Sequence, residues 1–308
     1  NSIVHEIIYD EENKKAKGVR VIDAENNQSY EYFAKVIFLC SSTVGSTSIL
    51  MQSKSNRFPN GMGNDSGELG HNIMDHHFQV GASGTFKGFK NKTTFGRKPA
   101  GFYIPRFRNI GGITDRKDYI RGYQYQGGAN RGFMSIADSK EELVSYGPRF
   151  KENIVKRDEW TASMTGFGEI LPYHDNKMTL NYDKKDQWGL PTVTFDAKIR
   201  ENEITMRKDM KIQAEEMLER SGFKDVYGNE SKYVFGNGIH EMGTARMGND
   251  PKTSVLNANN QIHDVKNVYV TDGACMTSAG NQNPSITYMA LTARAAKHAV
   301  DELNKQNI

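Results

Sequence analysis

The chain has 308 residues, 37% hydrophobic and 25% charged, with 40 basic against 37 acidic side chains and a formal net charge of +3. That length accommodates one large or two ordinary domains with a sizeable core, and interleaved charges of both signs exclude the one-sided basic surface that binds nucleic acid. No apolar run approaches the ~18 residues that span a bilayer, and two cysteines, Cys40 and Cys275, are too few for a disulfide framework.

The chain opens Asn1-Ser2-Ile3-Val4-His5, with neither an initiator methionine nor a basic-then-apolar leader, as if cut from something longer. Residues 3–9, 18–23 and 29–33 predict short strands, separated by the charged turn 10–17 and by Glu25-Asn26-Asn27. Val36-Ile37-Phe38-Leu39-Cys40 is continuously apolar and predicts a strand covered on both faces. It runs into a Ser/Thr-rich turn and then Ile49-Leu50-Met51, a helix signal. Strand, small-residue turn and helix make the junction at which α/β folds hold ligands.

Residues 61–70 are glycine-rich, but they follow no strand and lack GxGxxG spacing, so a loop is expected there; no dinucleotide fingerprint occurs in the chain. His71-Asn72-Ile73-Met74-Asp75-His76-His77 gathers three histidines and an aspartate. The fixed-spacing partner of a zinc motif is missing, so the expectation is a polar segment lining a cleft, with no metal.

From Phe78 to Phe235 aromatics, glycine pairs and short alternating runs predict a mainly antiparallel sheet, inserted as a second domain. Within it, residues 178–182 and 193–195 are strands flanking the turn at 186–191. Met206, Met210, Ala214, Met217 and Leu218 form the apolar face of a helix that Ser221-Gly222 ends. The expected fold class is therefore α+β: residues 1–77 and 236–308 form an α/β part, and residues 78–235 the inserted antiparallel sheet domain.

The last segment carries the densest polar punctuation. Gly236-Asn237-Gly238-Ile239-His240 places a histidine in a glycine-rich turn, and residues 266–271 read as a strand stopped by Asp272-Gly273. Gly280-Asn281-Gln282-Asn283-Pro284-Ser285 precedes a helix marked by Ile286, Met289, Ala290, Ala293, Ala296, Val300 and Leu303, with Asn283 expected as N-cap and Pro284 as first helical residue. The unpaired N–H groups and dipole of such a helix start make an anion site. Taken singly, His240 reads as a structural histidine, Asn283 as a cap and Asp272-Gly273 as a turn. A Ser-His-Asp hydrolase is not expected, because no Gly-x-Ser-x-Gly elbow occurs.

Taken together, the run from His240 to Gly248, Ser254-Val255-Leu256-Asn257, the strand ending at Asp272-Gly273, and Asn283-Pro284-Ser285 with its helix resemble the carboxy-terminal pattern of the glucose-methanol-choline oxidoreductases. Leu69-Gly70-His71-Asn72-Ile73-Met74-Asp75-His76 is similar to an earlier segment of that family. The resemblance implies an FAD-dependent oxidation of an alcohol, with His240 as catalytic base and Asn283 as the second catalytic residue. It also implies cofactor contacts from Asp272, Gly273, Asn283, Pro284 and Ser285, and a substrate domain in residues 78–235. The run from Gln282 to Arg294 is most similar to bacterial sugar and glycoside dehydrogenases, which implies a small-molecule alcohol or carbohydrate substrate. Because the family's dinucleotide fingerprint lies nearer the amino terminus, the implied partners include a missing amino-terminal FAD-binding segment and, as a candidate, an electron-acceptor subunit. Two other readings stand beside this one: a non-catalytic substrate-binding or subunit-interaction fragment, and a lyase built on the same scaffold.

Overall fold

The computed structural model describes residues 1–92, 101–131, 147–148, 150–151 and 159–308, and the remaining parts of the 78–235 stretch lie outside the described residues. In chain order the strands are β1 (Ser2–Asp10), β2 (Lys15–Asp23), β3 (Ser29–Phe33), β4 (Ile37–Leu39), β5 (His76–Phe86), β6 (Gly101–Ile104) and β7 (Tyr123–Asn130). They continue with β8 (Trp160–Glu169), β9 (Lys177–Lys185), β10 (Pro191–Asp196), β11 (Lys224–Glu230), β12 (Gln261–Ile262) and β13 (Val265–Val270). The helices are α1 (Ser42–Gln52), α2 (Glu201–Arg220) and α3 (Ser285–Asn304). Among the described residues no helix is long and apolar enough to cross a membrane.

The chain divides into two compact units. The first comprises Asn1–His76, Ile170–Ile199 and Phe235–Ile308, and the second His77–Glu169 and Arg200–Val234. The antiparallel β9–β10 hairpin therefore groups with the first unit, although it lies inside the 78–235 stretch.

In the first unit β1, β2 and β3 form an antiparallel meander. The charged turn between β1 and β2 closes because the Asp10 carboxylate accepts from the amides of Glu12 and Asn13, the Asx geometry that places aspartate in turns. A second sheet pairs β4 parallel to β13, with Ile37 opposite Val268 and Leu39 opposite Val270. Ile37 and Leu39 are buried in a core with Leu50, Val268, Val270 and Cys275, but Phe38 is 36% exposed. The strand is thus covered on one face, not on both as its apolar run implied. β4 is the edge of a three-stranded sheet, and Phe38 stacks at 5.0 Å on Tyr269, its partner in register on β13. Asn267 ties the two sheets together: its amide oxygen accepts from Ala16 N at 3.0 Å, and its nitrogen donates to Ala16 O at 2.7 Å and Lys35 O at 3.0 Å.

The second unit is a five-stranded sheet in the order β11-β5-β8-β7-β6, with antiparallel β11–β5, β7–β8 and β6–β7 pairings. Helix α2 follows from i, i+4 spacing of Met206, Met210, Ala214 and Leu218, all buried against Val80, Ala82, Tyr123, Tyr125 and Met164. Each large apolar side chain on that face stabilises the unit by about 1.5–3 kcal/mol. The helix stops where the sequence expects, at Ser221, followed by Gly222 with φ +88°.

Candidate active site

The site is built on one short bridge in the first unit. Met74 and Met242 pair antiparallel, each N–H donating to the other's carbonyl at 2.8 and 2.9 Å. In antiparallel register the residues two steps on, His76 and His240, face each other on one side. Their rings meet edge to face with centroids 4.9 Å apart and Nδ1 atoms 2.8 Å apart. His76 is fully buried, and its Nε2 lies 3.0 Å from the carbonyl oxygen of Gly280.

The turn before His240 is gripped by Asp75. This buried carboxylate accepts from the amides of Gly236 at 3.1 Å, Gly238 at 2.9 Å, His240 at 3.1 Å and His76 at 2.7 Å. Gly238 is required by that grip, since a Cβ there would stand 2.3 Å from Asp75 Oδ1 and 2.4 Å from His76 O. Ile239 is forced into the left-handed region at φ +57° and is 79% exposed. For a β-branched residue that conformation is strained by about 1–3 kcal/mol, and it turns the chain so that His240 comes back under the bridge.

Burial holds both histidines in their neutral form. Desolvation, followed by the neighbouring His240, pushes His76 down to about 4. Desolvation also lowers His240, partly opposed by the charge of Asp75. A neutral imidazole near pH 7 is the form that accepts a proton.

On the other side of His240 stands the start of α3. Pro284 occupies the cap position, in right-handed helical conformation at φ −86°, and no side chain caps the helix. The N-cap role expected for Asn283 is therefore not taken. The helix begins at Ser285, one residue later than expected, which leaves Asn283 outside the cap position, and its Nδ2 lies 3.5 Å from His240 Nε2. The first turn of α3 carries no acidic side chain. Close by, the Asn281 side chain is buried, with its Nδ2 lacking a partner among the described residues.

Asp272 and Gly273 lie at the end of β13. Burial raises the Asp272 carboxyl, with donated hydrogen bonds opposing. Its oxygens accept from Ser46 Oγ on α1 and from Ala274 N at 2.9 Å, so the carboxylate locks the turn at Gly273–Cys275 to α1. A Cβ at Gly273 would meet Glu241 O and Thr43 Oγ1 at 2.4 Å each. The segment after His240 packs beside this turn, with Gly243, Ala245 and Met247 amides donating to the carbonyls of Gly273, Ala274 and Cys275 at 2.9 to 3.0 Å.

The structure thus brings His240, Asn283, Pro284 and Ser285 to one end of α3, and Asp272 and Gly273 to the adjoining turn. The histidine-rich segment separates: His76 joins His240, whereas His71 stacks on His174 at 4.2 Å. Sequence reading placed Asp75 and His76 in a cleft-lining segment without separate roles, and gave none to Asn281. The available signal was that Met74-Asp75-His76 forms part of a family-like segment. Among the described residues no group of metal-ligating side chains could hold an ion.

Family models described as GMC oxidoreductase match at both ends of the chain, the amino-terminal model over residues 1–78 and the carboxy-terminal model over residues 172–292. The chain is 29% identical over 295 residues to 2-methyl-1,2-propanediol dehydrogenase of Mycolicibacterium austroafricanum, covering 93% of this chain and 51% of that protein. It is 25% identical over 309 residues to the fructose dehydrogenase large subunit of Gluconobacter japonicus, covering 99% and 54%. It therefore spans about half the length of these curated relatives. The fold is similar to that of an Aspergillus oryzae formate oxidase studied for FAD modification, with TM-score 0.64, 16% identity, and coverage of 99% of this chain and 60% of that one.

Proposed function

Because the chain belongs to the GMC oxidoreductase family, we propose that it is the carboxy-terminal part of an FAD-dependent dehydrogenase or oxidase that converts a CH–OH group, on a sugar or related small alcohol, to the carbonyl. The observation that carries this reading is the meeting of His240 Nε2 and Asn283 Nδ2, 43 residues apart in sequence, at the start of α3. The residues there fit a flavin: the unspent N–H groups of the first turn of α3, the absence of an acidic side chain in that turn, and the buried amide of Asn281 all favour an electron-rich, hydrogen-bond-accepting ring edge. Asn283, Pro284 and Ser285 would hold it from the helix start, and Asp272 and Gly273 from the turn after β13.

Held there, FAD would supply the acceptor for the hydride of the carbinol carbon. His240 takes the hydroxyl proton at Nε2 as the C–H bond breaks and the C=O bond forms, so the substrate loses two electrons with its hydride and one proton to the base. The Asn283 amide donates to the substrate oxygen as negative charge grows on it. The antiparallel second unit is the candidate substrate-binding part.

The partners of the reading follow from surface left open within the first unit. β4 is a sheet edge, and Ile286 and Met289 on α3 are 76% and 70% exposed. An open parallel-sheet edge and an exposed apolar helix face each suit a further α/β segment carrying the FAD-binding fingerprint. The similarity to a dehydrogenase large subunit adds an electron-accepting subunit as a further partner.

The test uses the full-length protein. An oxidised flavin spectrum that bleaches anaerobically on adding one of a panel of sugars and short polyols is expected. A colourless protein would favour the non-catalytic fragment, and a flavin that no alcohol reduces would favour the lyase.

A further inference from the structure

We infer that His76 is a positioning residue that fixes the tautomer of His240, so that the basic lone pair lies on Nε2 beside Asn283. The inference rests on the oxidoreductase reading for its purpose, but its geometry stands on the two rings alone. A carbonyl oxygen can only accept, so the 3.0 Å contact to Gly280 O requires a proton on His76 Nε2. Buried and held neutral, His76 then has its lone pair on Nδ1. His76 Nδ1 lies 2.8 Å from His240 Nδ1, so His240 must be the donor in that contact. With its proton on Nδ1, neutral His240 carries its lone pair on Nε2, the atom 3.5 Å from Asn283 Nδ2.

The Gly280 carbonyl, His76 and His240 therefore form a directional relay of donors. Its anchor is the same loop that carries Asn283, so the two arms of the site are set against each other by one imidazole. A carboxylate orients a catalytic histidine in many hydrolases. Here the orienting group is uncharged, and it aligns the base without stabilising its protonated form by an opposite charge. The Asp75 carboxylate accepts from backbone amides, including that of His240.

The experiment uses the full-length holoenzyme and two readouts. Ring ¹⁵N spectra of labelled histidines, with His240 assigned by its loss in His240→Ala, are expected to show His240 protonated at Nδ1 and bare at Nε2 at neutral pH. The reverse tautomer overturns the inference. In rapid-mixing flavin reduction, His76→Leu is expected to slow the step by at least about tenfold, toward the ~10⁴-fold lost when an imidazole is left in the wrong tautomer, with flavin content and substrate saturation unchanged. His76→Asn, whose Oδ1 can accept in place of Nδ1, should recover most of the rate. Equal rates in the Leu and Asn variants, or an unimpaired Leu variant, overturn it as well. An unimpaired His240→Ala enzyme would instead overturn the reading of the site, while the ring spectra still decide the tautomer.

Discussion

Two buried polar clusters, one in each unit, solve the same problem in opposite ways. In the second unit Asp209 is saturated: Oδ2 accepts from Tyr119 OH at 2.7 Å, Tyr123 OH at 2.6 Å and Arg108 Nε at 2.9 Å, and Oδ1 from Arg108 Nη2 at 3.1 Å. Burial alone would raise this carboxyl, but the bonds from Tyr123, Arg108 and Tyr119 outweigh it and the net shift is downward. In the first unit the histidine pair is aligned from one side by Gly280 and Asp75, and Nε2 of His240 is turned toward the exposed start of α3. A closed network stabilises the fold; an aligned base with its lone pair turned outward is arranged to receive a proton.

That contrast predicts where each cluster fails. His240→Ala should slow flavin reduction in the full-length enzyme by about 10²–10⁴-fold while leaving the urea midpoint near that of the parent; a large midpoint shift would make His240 structural. Asp209→Ala should do the reverse, destabilising by about 3–5 kcal/mol because Arg108 loses its buried counter-charge, with flavin reduction by the surviving folded enzyme unchanged. Asn283→Ala should cost about 10²–10³-fold in the same rate if its amide serves the substrate oxygen, with a smaller change in melting temperature than Asp209→Ala, since Pro284 holds the cap position.

The clusters should also separate by pH. An unfolded histidine titrates near 6.5, whereas folded His76 does so at about 4. Below about pH 6.5 the unfolded chain takes up a proton that the folded one refuses, so stability falls as pH drops, by about 3 kcal/mol near pH 4. Asp209, lowered in the fold, contributes stability that is lost only further down, as pH passes below the ordinary aspartate range. Denaturant midpoints taken from pH 8 to pH 3.5 should show the first loss vanish in His76→Asn and persist in Asp209→Asn. The smallest effect is at Ile239: Ile239→Asn, tolerant of φ +57°, should stabilise by roughly 1 kcal/mol, read as a rise in melting temperature.

The strands of the meander, the hairpin and α2 were legible because each rests on local periodicity and turn chemistry. β4 was misjudged on one face, because an apolar run reports what a strand can bury and not what this chain places over it. His240 and Asn283 were legible as a pair through family resemblance, yet nothing local shows that they meet. The role of His76 was illegible for a different reason. It depends on a single bridge, Met74 with Met242, joining segments more than 160 residues apart, and no spacing rule reaches across that distance. The Asn283 cap failed because a helix start one residue later is invisible at the resolution of sequence signals.

The grip of Asp75 has a kinetic consequence. Three amide hydrogens on alternate residues, Gly236, Gly238 and His240, share the two oxygens of one carboxylate. None can be released to solvent for long while the others stay bound, so the three should exchange with deuterium as one cooperative unit. Their common opening rate is a clock for how long the loop carrying His240 remains closed, and it can be timed in the resting protein with no substrate present.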